Sequence, residues 1–138
     1  MQASGYSGRP LEQKLGIKSG FNCLIYKSFL EYEQWFSNLN LDLKIHNSNT
    51  DTQQDFIHCF CITNQDLEEV ILKLKPLLKS DGMIWISWPK KTSNIPSELN
   101  RDIIRDFVLQ NGLVDVKVAS INENWSGLKF VYRLKDRN

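Results

Sequence analysis

The stretch Val114-Asp115-Val116-Lys117-Val118-Ala119-Ser120-Ile121-Asn122-Glu123-Asn124-Trp125-Ser126-Gly127-Leu128-Lys129-Phe130-Val131-Tyr132-Arg133-Leu134 decides the fold. Residues 114–121 and 128–134 both read as strands, and only the six residues 122–127 separate them. A parallel crossover needs a dozen residues or more, so these two strands form an antiparallel hairpin.

Upstream of the hairpin, strand and helix patterns alternate. Pro10 suits a first helical position before Leu11-Glu12-Gln13-Lys14-Leu15, and Gly16 suits its C-terminal cap. Residues 21–26 read as a buried strand and 30–39 as a helix with Trp35 and Phe36 facing inward. A second strand over 41–46 turns Leu41, Leu43 and Ile45 to one face. The stretch 47–54 has no apolar residue and reads as a solvated loop, followed by a third strand over 56–62. Asn64 is placed to cap a helix carrying Leu67, Val70, Ile71, Leu74 and Leu78, with Pro76 in its last turn. Asp81-Gly82 reads as a turn into a fourth strand over 83–88, and a polar loop then leads to a helix capped by Ser97. That helix bears Leu99, Ile103, Ile104, Phe107 and Val108 and stops at Asn111-Gly112.

Alternation through four strands implies a parallel sheet with right-handed crossovers and helices on both faces. The expectation is therefore one three-layer α/β domain over 1–138, Rossmann-like, with a short N-terminal arm over about 1–9. The 138 residues are 41% hydrophobic and 24% charged, enough to bury a core without disulfides or a structural metal. With 17 Lys and Arg against 16 Asp and Glu, the net charge is +1, which argues against a bulk field for nucleic acid or anionic membranes. No apolar run approaches a membrane span, and Met1-Gln2-Ala3-Ser4 does not begin a secretory signal. Cys23, Cys59 and Cys61 are odd in number, so a reducing cytoplasm is the expected compartment.

A twisted parallel sheet closed by an antiparallel hairpin resembles the class I, S-adenosylmethionine (SAM)-dependent methyltransferase fold. Leu15-Gly16-Ile17-Lys18-Ser19-Gly20 before Phe21-Asn22-Cys23-Leu24-Ile25, the segment Leu74-Lys75-Pro76-Leu77-Leu78-Lys79-Ser80-Asp81-Gly82-Met83-Ile84-Trp85-Ile86, and the hairpin itself carry the likeness. The resemblance implies about six strands in the order 2-1-3-4-6-5 with the last antiparallel, one fewer than the usual seven. More narrowly, Tyr6-Ser7-Gly8-Arg9-Pro10-Leu11, Trp88-Pro89-Lys90-Lys91, Gly112-Leu113-Val114-Asp115 and Trp125-Ser126-Gly127-Leu128-Lys129 are similar to a small bacterial family, domain of unknown function 3052. The methyltransferase likeness stops at two chemical positions. The turn Tyr26-Lys27-Ser28-Phe29 holds no glycine to let backbone approach a cofactor, and His46-Asn47 stands where an acidic residue usually grips the ribose.

In open α/β sheets ligands bind beyond the carboxyl ends of the strands. That edge is expected to carry Tyr26, Ser28, Trp88, Lys90, Lys91, Glu123 and Trp125, a set able to stack a ring and neutralise a phosphate or carboxylate. The bland alternatives are a Trp that closes the sheet, solvated lysines and ordinary turn chemistry at 122–127. His58, Cys59 and Cys61 invite a metal reading, but strand alternation sends His58 away from both cysteines, which leaves them as core residues. No Gly-x-Ser-x-Gly elbow, P-loop or Gly-x-Gly-x-x-Gly occurs. The sequence thus points to a non-catalytic binding module for a protein partner or small anionic ligand, with no cofactor expected. Its alternative is an atypical SAM-dependent enzyme assisted by Glu123 or Lys90. Nucleic acid is an unfavoured partner, because Lys90-Lys91 is the only compact basic pair along the chain. The second strand, as an exposed edge, is free to pair with its symmetry mate in a homodimer.

Overall fold

The computed structural model describes residues 9–137. Most of the arm expected over about 1–9 therefore lies outside the described residues. The elements are α1 (Leu11–Leu15), β1 (Asn22–Tyr26), α2 (Leu30–Ser37), β2 (Lys44–His46), β3 (Gln54–Phe60), α3 (Asn64–Glu69), β4 (Leu78–Pro89), α4 (Arg101–Gln110), β5 (Leu113–Ser120) and β6 (Trp125–Tyr132). One six-stranded sheet in the order β2-β1-β3-β4-β6-β5 joins them, parallel from β2 to β4 and antiparallel across β4-β6-β5.

Period-two alternation sorts the side chains of the central strands into two cores. On the α3 and α4 side lie Leu24, Ile57, Cys59, Ile84 and Ile86; on the α1 and α2 side lie Tyr32, Phe36, Phe56, Phe60, Trp85 and Trp125. Cys59 and Cys61 share the first core, whereas His58 points into the second between Tyr32 and Ser87. The α1 lead-in is fastened by Trp85, whose Nε1 donates to the Leu15 carbonyl at 2.9 Å. Gly16 closes α1 with φ of 79°, a left-handed cap that glycine adopts without steric cost.

Several local expectations are corrected. The second strand is only three residues long, and Ile45, at the sheet's edge, is 51% exposed. Gln54, assigned by its polarity to the solvated loop, opens β3 and is fully buried, with its Nε2 donating to the Thr52 carbonyl at 2.8 Å. Asp81-Gly82 makes no free turn but lies in a bulge of β4, since Gln54 pairs with Leu78 and Phe56 with Met83. A Cβ at Gly82 would stand 2.8 Å from the Gln54 carbonyl oxygen, so the close strand approach requires glycine.

Thr63, rather than Asn64, caps α3. Its side chain accepts from the Asp66 amide while Asp66 reaches back to the Thr63 amide, a closed capping box. The Asn64 amide instead donates to Glu98 at 2.8 Å. Beyond Glu69 the helix widens into a π-helical stretch over Val70–Leu74 and a 3-10 turn over Lys75–Leu77 containing Pro76. Helix α4 likewise starts later than expected. Asn100 caps it through the Ile103 amide at 2.9 Å, whereas the Ser97 hydroxyl donates to the Ile62 carbonyl.

Candidate functional site

The carboxyl edge of the parallel strands gathers the turn after β1, the start of α3, the end of β4 and the tip between β5 and β6. At the β1 turn, Lys27 takes a left-handed backbone with φ of 57°. This conformation aims its ammonium at α3, where Nζ lies 2.8 Å from Asp66 and 3.3 Å from Glu69. The Tyr26 hydroxyl donates to Glu69 at 2.9 Å from the same turn. These contacts set the local electrostatics. The hydrogen bond to Asp66, against some cost of burial, raises the Lys27 pKa, and the hydrogen bonds from Tyr26 and Lys27 hold Glu69 below the usual carboxylate range. Burial works to raise Asp66, but donors from Lys27, Ile62 and Thr63 outweigh it and keep the carboxyl low. Burial and the Glu69 contact raise the Tyr26 phenol.

On the other side of the same turn, Phe29 stacks on Trp125 at 5.9 Å and meets Phe60 edge-on at 5.3 Å. Phe60 in turn packs edge-on against Trp125 at 5.2 Å. The turn is thus clamped to α3 by charge and to β6 by aromatic packing. His46, at the end of β2, is tied through Nε2 to Asn22 Oδ1 at 3.0 Å and presents no carboxylate. These residues do not fit SAM in the glycine-turn and carboxylate mode of the family that the sequence resembles.

The seven residues expected at the edge do reach it, but they do not form one pocket. Trp88 and Trp125 are each only 8% exposed, and they belong to the cores on opposite faces of the sheet. The register explains this: Pro89 pairs with Trp125 and Trp88 with Ser126, so the two indoles alternate to different sides. Trp125 also belongs to β6 itself, which shortens the expected six-residue loop. The two indoles therefore do not face each other across one site. Lys90 is held at the rim, its Nζ donating to Ser120 Oγ at 2.7 Å and its amide to the Asn124 carbonyl at 2.8 Å. Ser28 is half-buried and Glu123 is exposed. Lys91 lines an open cleft of about 300 Å³ with Trp88, Pro89, Leu99 and Asn100 and with Arg101 and Asp102 at the start of α4.

Two features escaped the sequence reading. The clamp of Lys27 by Asp66 and Glu69 was signalled only by the capping pattern Thr63-x-x-Asp66. The second is a fully buried polar chain, in which His58 Nδ1 lies 2.6 Å from the Tyr32 hydroxyl and Nε2 lies 2.7 Å from Ser87 Oγ. Its arrangement resembles a nucleophile–base–orienter relay, but all three residues are shut off from solvent. Burial lowers the His58 pKa to about 3, and the thiols of Cys23 and Cys59 are pushed up chiefly by burial, which makes them poor nucleophiles.

Strand order, the antiparallel hairpin and helices on both faces define a methyltransferase-like Rossmann fold. Among solved structures the chain resembles a SAM-dependent methyltransferase from Aquifex aeolicus with a TM-score of 0.64 and 12% identity, covering 87% of this chain and 86% of that one. A TehB-like SAM-dependent methyltransferase from Corynebacterium glutamicum matches with a TM-score of 0.55 and 8% identity over 89% and 85% of the two chains. The fibrillarin pre-rRNA processing protein of Methanococcus jannaschii matches with a TM-score of 0.54 and 10% identity over 83% and 67%. At such identities the likeness is one of fold. No protein-family model and no curated protein matches the sequence, so the likeness to domain of unknown function 3052 rests on the quoted segments alone. Among the described residues no helix is long and apolar enough to cross a membrane.

Proposed function

We propose that this chain is a methyltransferase-fold binding module rather than a methyl-transfer catalyst. The observation that supports this reading is the turn after β1. Where the resembled family leaves space for a cofactor against bare backbone, Tyr26 and Lys27 are bound to Asp66 and Glu69, and Phe29 is packed on Trp125. The working surface is the rim beside β4 and α4, where Lys91 and Arg101 border the cleft together with Asp102, 3.9 Å from Arg101, and the two cations would receive a partner's carboxylate or a small anionic ligand.

A thermal-unfolding scan with and without millimolar SAM or S-adenosylhomocysteine tests the reading. The expected result is no shift with either compound. A ligand at 100 times its dissociation constant adds about 2.7 kcal/mol to stability, a displacement such a scan detects readily. A shift of that size would overturn the proposal in favour of an atypical SAM-dependent methyltransferase, the reading that the names of the similar structures support.

A further inference from the structure

The fold assembles a basic cluster that no stretch of the sequence displays. Lys117 on β5 and Lys129 on β6 are direct cross-strand partners, both on the α1 side of the sheet. The Lys117 ammonium donates to the Lys14 carbonyl at the end of α1 at 2.9 Å. The Lys129 ammonium lies beside the adjoining Gly16, 3.8 Å from where a Cβ there would stand. Lys90 occupies the rim at the other end of the same strip. The expectation that Lys90-Lys91 is the only compact basic group is thereby corrected.

These cations repel one another. Lys117, besides its desolvation, feels Arg9, Lys129 and Lys14; Lys129 feels Lys18; and Lys90 feels Lys14, while Glu123 acts on it in the opposite sense. Like charges placed directly opposite on a sheet are destabilising, so Lys117 and Lys129 carry a cost in the free protein. A counter-charge removes it. The cluster is too large for a single phosphate group, and it is elongated. Trp85 pairs with Lys129 and Pro89 with Trp125, so Lys90 and Lys129 stand about five strand residues apart, roughly 17 Å. That length spans several successive phosphates of a nucleic-acid backbone. On the same face Trp85 and Ala119 are buried, so the strip offers ammonium groups without the exposed apolar centre of a protein interface.

We infer that this strip, built from Lys18, Lys90, Lys117 and Lys129, is a docking surface for the phosphate backbone of single-stranded nucleic acid. Binding here does not depend on whether the turn after β1 takes a cofactor, and it contacts phosphates without reading bases. Its signature is salt dependence. Each ammonium engaged contributes about −0.7 to the slope of log affinity against log salt, so four contacts give about −3.

Fluorescence anisotropy with a labelled 12-nucleotide single-stranded RNA, titrated with the full chain from low to moderate salt, tests this. The expected result is saturable binding with that slope. Lys18→Gln with Lys129→Gln should weaken it at least about tenfold and flatten the slope by about 1.4, while leaving the melting temperature unchanged or higher because repulsion is relieved. Lys73→Gln, removing one charge from the π-helical stretch after α3 on the opposite face, should change neither affinity nor slope. Should the double variant fail to fold, Lys90→Gln serves in its place with about half the change in slope. No binding at low salt, equal losses from Lys73→Gln, or insensitivity to the strip variants would overturn the inference. Stronger binding of poly-glutamate than of RNA would overturn it in favour of an acidic protein partner.

Discussion

Replacing His58 by a side chain that hydrogen-bonds but does not titrate should make the protein markedly more resistant to mild acid. The imidazole is fully buried, edge-on to Tyr32 at 4.9 Å and stacked on Phe60 at 4.3 Å. As a neutral ring it has one donor and one acceptor, which match one hydroxyl each from Tyr32 and Ser87. A protonated ring would bring a charge into an aromatic box whose two hydrogen-bond partners are neutral hydroxyls. Burial therefore depresses its pKa from 6.5 to about 3. The folded-state value lies below the unfolded one, so the unfolded chain takes up the proton first as pH falls. The associated stability is whole above about pH 6.5 and is lost steadily below it, down to the folded pKa near 3. At about 1.4 kcal/mol per pH unit, the loss between pH 7.5 and 4.5 comes to about 2.7 kcal/mol. Gln supplies an amide donor and a carbonyl acceptor to the same two hydroxyls without a proton to gain. Urea-unfolding curves of the wild type and His58→Gln at pH 7.5, 6.5, 5.5 and 4.5 should diverge by that amount, the variant gaining relative stability as pH falls. Parallel curves over this range would refute the reasoning, whatever the variant's absolute stability at pH 7.5.

Other perturbations have their own expected outcomes. Gly127→Ala would set a Cβ 2.8 Å from Ser87 Oγ and 3.2 Å from both Trp85 and Ile121, and should cost about 1–3 kcal/mol by chemical denaturation while disturbing the His58 chain. Gly82→Ala meets backbone oxygens of Gln54 and Asp55 at 2.8 and 3.2 Å, which rotamer changes do not relieve, so a loss of similar size is expected. Lys27→Gly removes half-exposed ion pairs worth about 0–1 kcal/mol but relieves a left-handed residue of about 1 kcal/mol, and should leave the melting temperature nearly unchanged. Thr63→Ala opens the capping box and should cost about 1 kcal/mol, with faster amide exchange at Asp66 as the local readout.

The parts of this fold that the sequence revealed are those governed by period and loop length. Residues 122–127 are too few to permit a crossover, and the helical spacing of Leu67, Val70 and Leu74 fixes the buried side of α3 and of the π-helical stretch that follows it. What misled was local polarity. Gln54 looks like loop because its side chain is an amide, and only the backbone of β4 closing over it shows it as strand. Asp81-Gly82 looks like a turn because glycine is read as freedom, when here it is needed for close approach to the Gln54 carbonyl. The two tryptophans show the limit most sharply. Both stand at the carboxyl edge, but whether they face each other depends on the register between β4 and β6, which neither strand encodes alone.

The same register argument makes the lysines meaningful. Lys14, Lys90, Lys117 and Lys129 are scattered through a chain of net charge +1, and each taken singly reads as a solvated surface residue. Strand pairing sets Lys117 against Lys129, and the docking of α1 through Trp85 brings Lys14 against Lys117. The turn after β1 shows the reverse relation, since there Lys27 is met by two carboxylates and its charge is spent inside the fold. A cation paired within the fold contributes little to outside binding, whereas cations kept mutually repulsive retain their attraction for an external anion. On that physical ground the α1 face of β5 and β6 suits an extended anionic partner, whereas the turn above β1, where the resembled family would place its chemistry, does not.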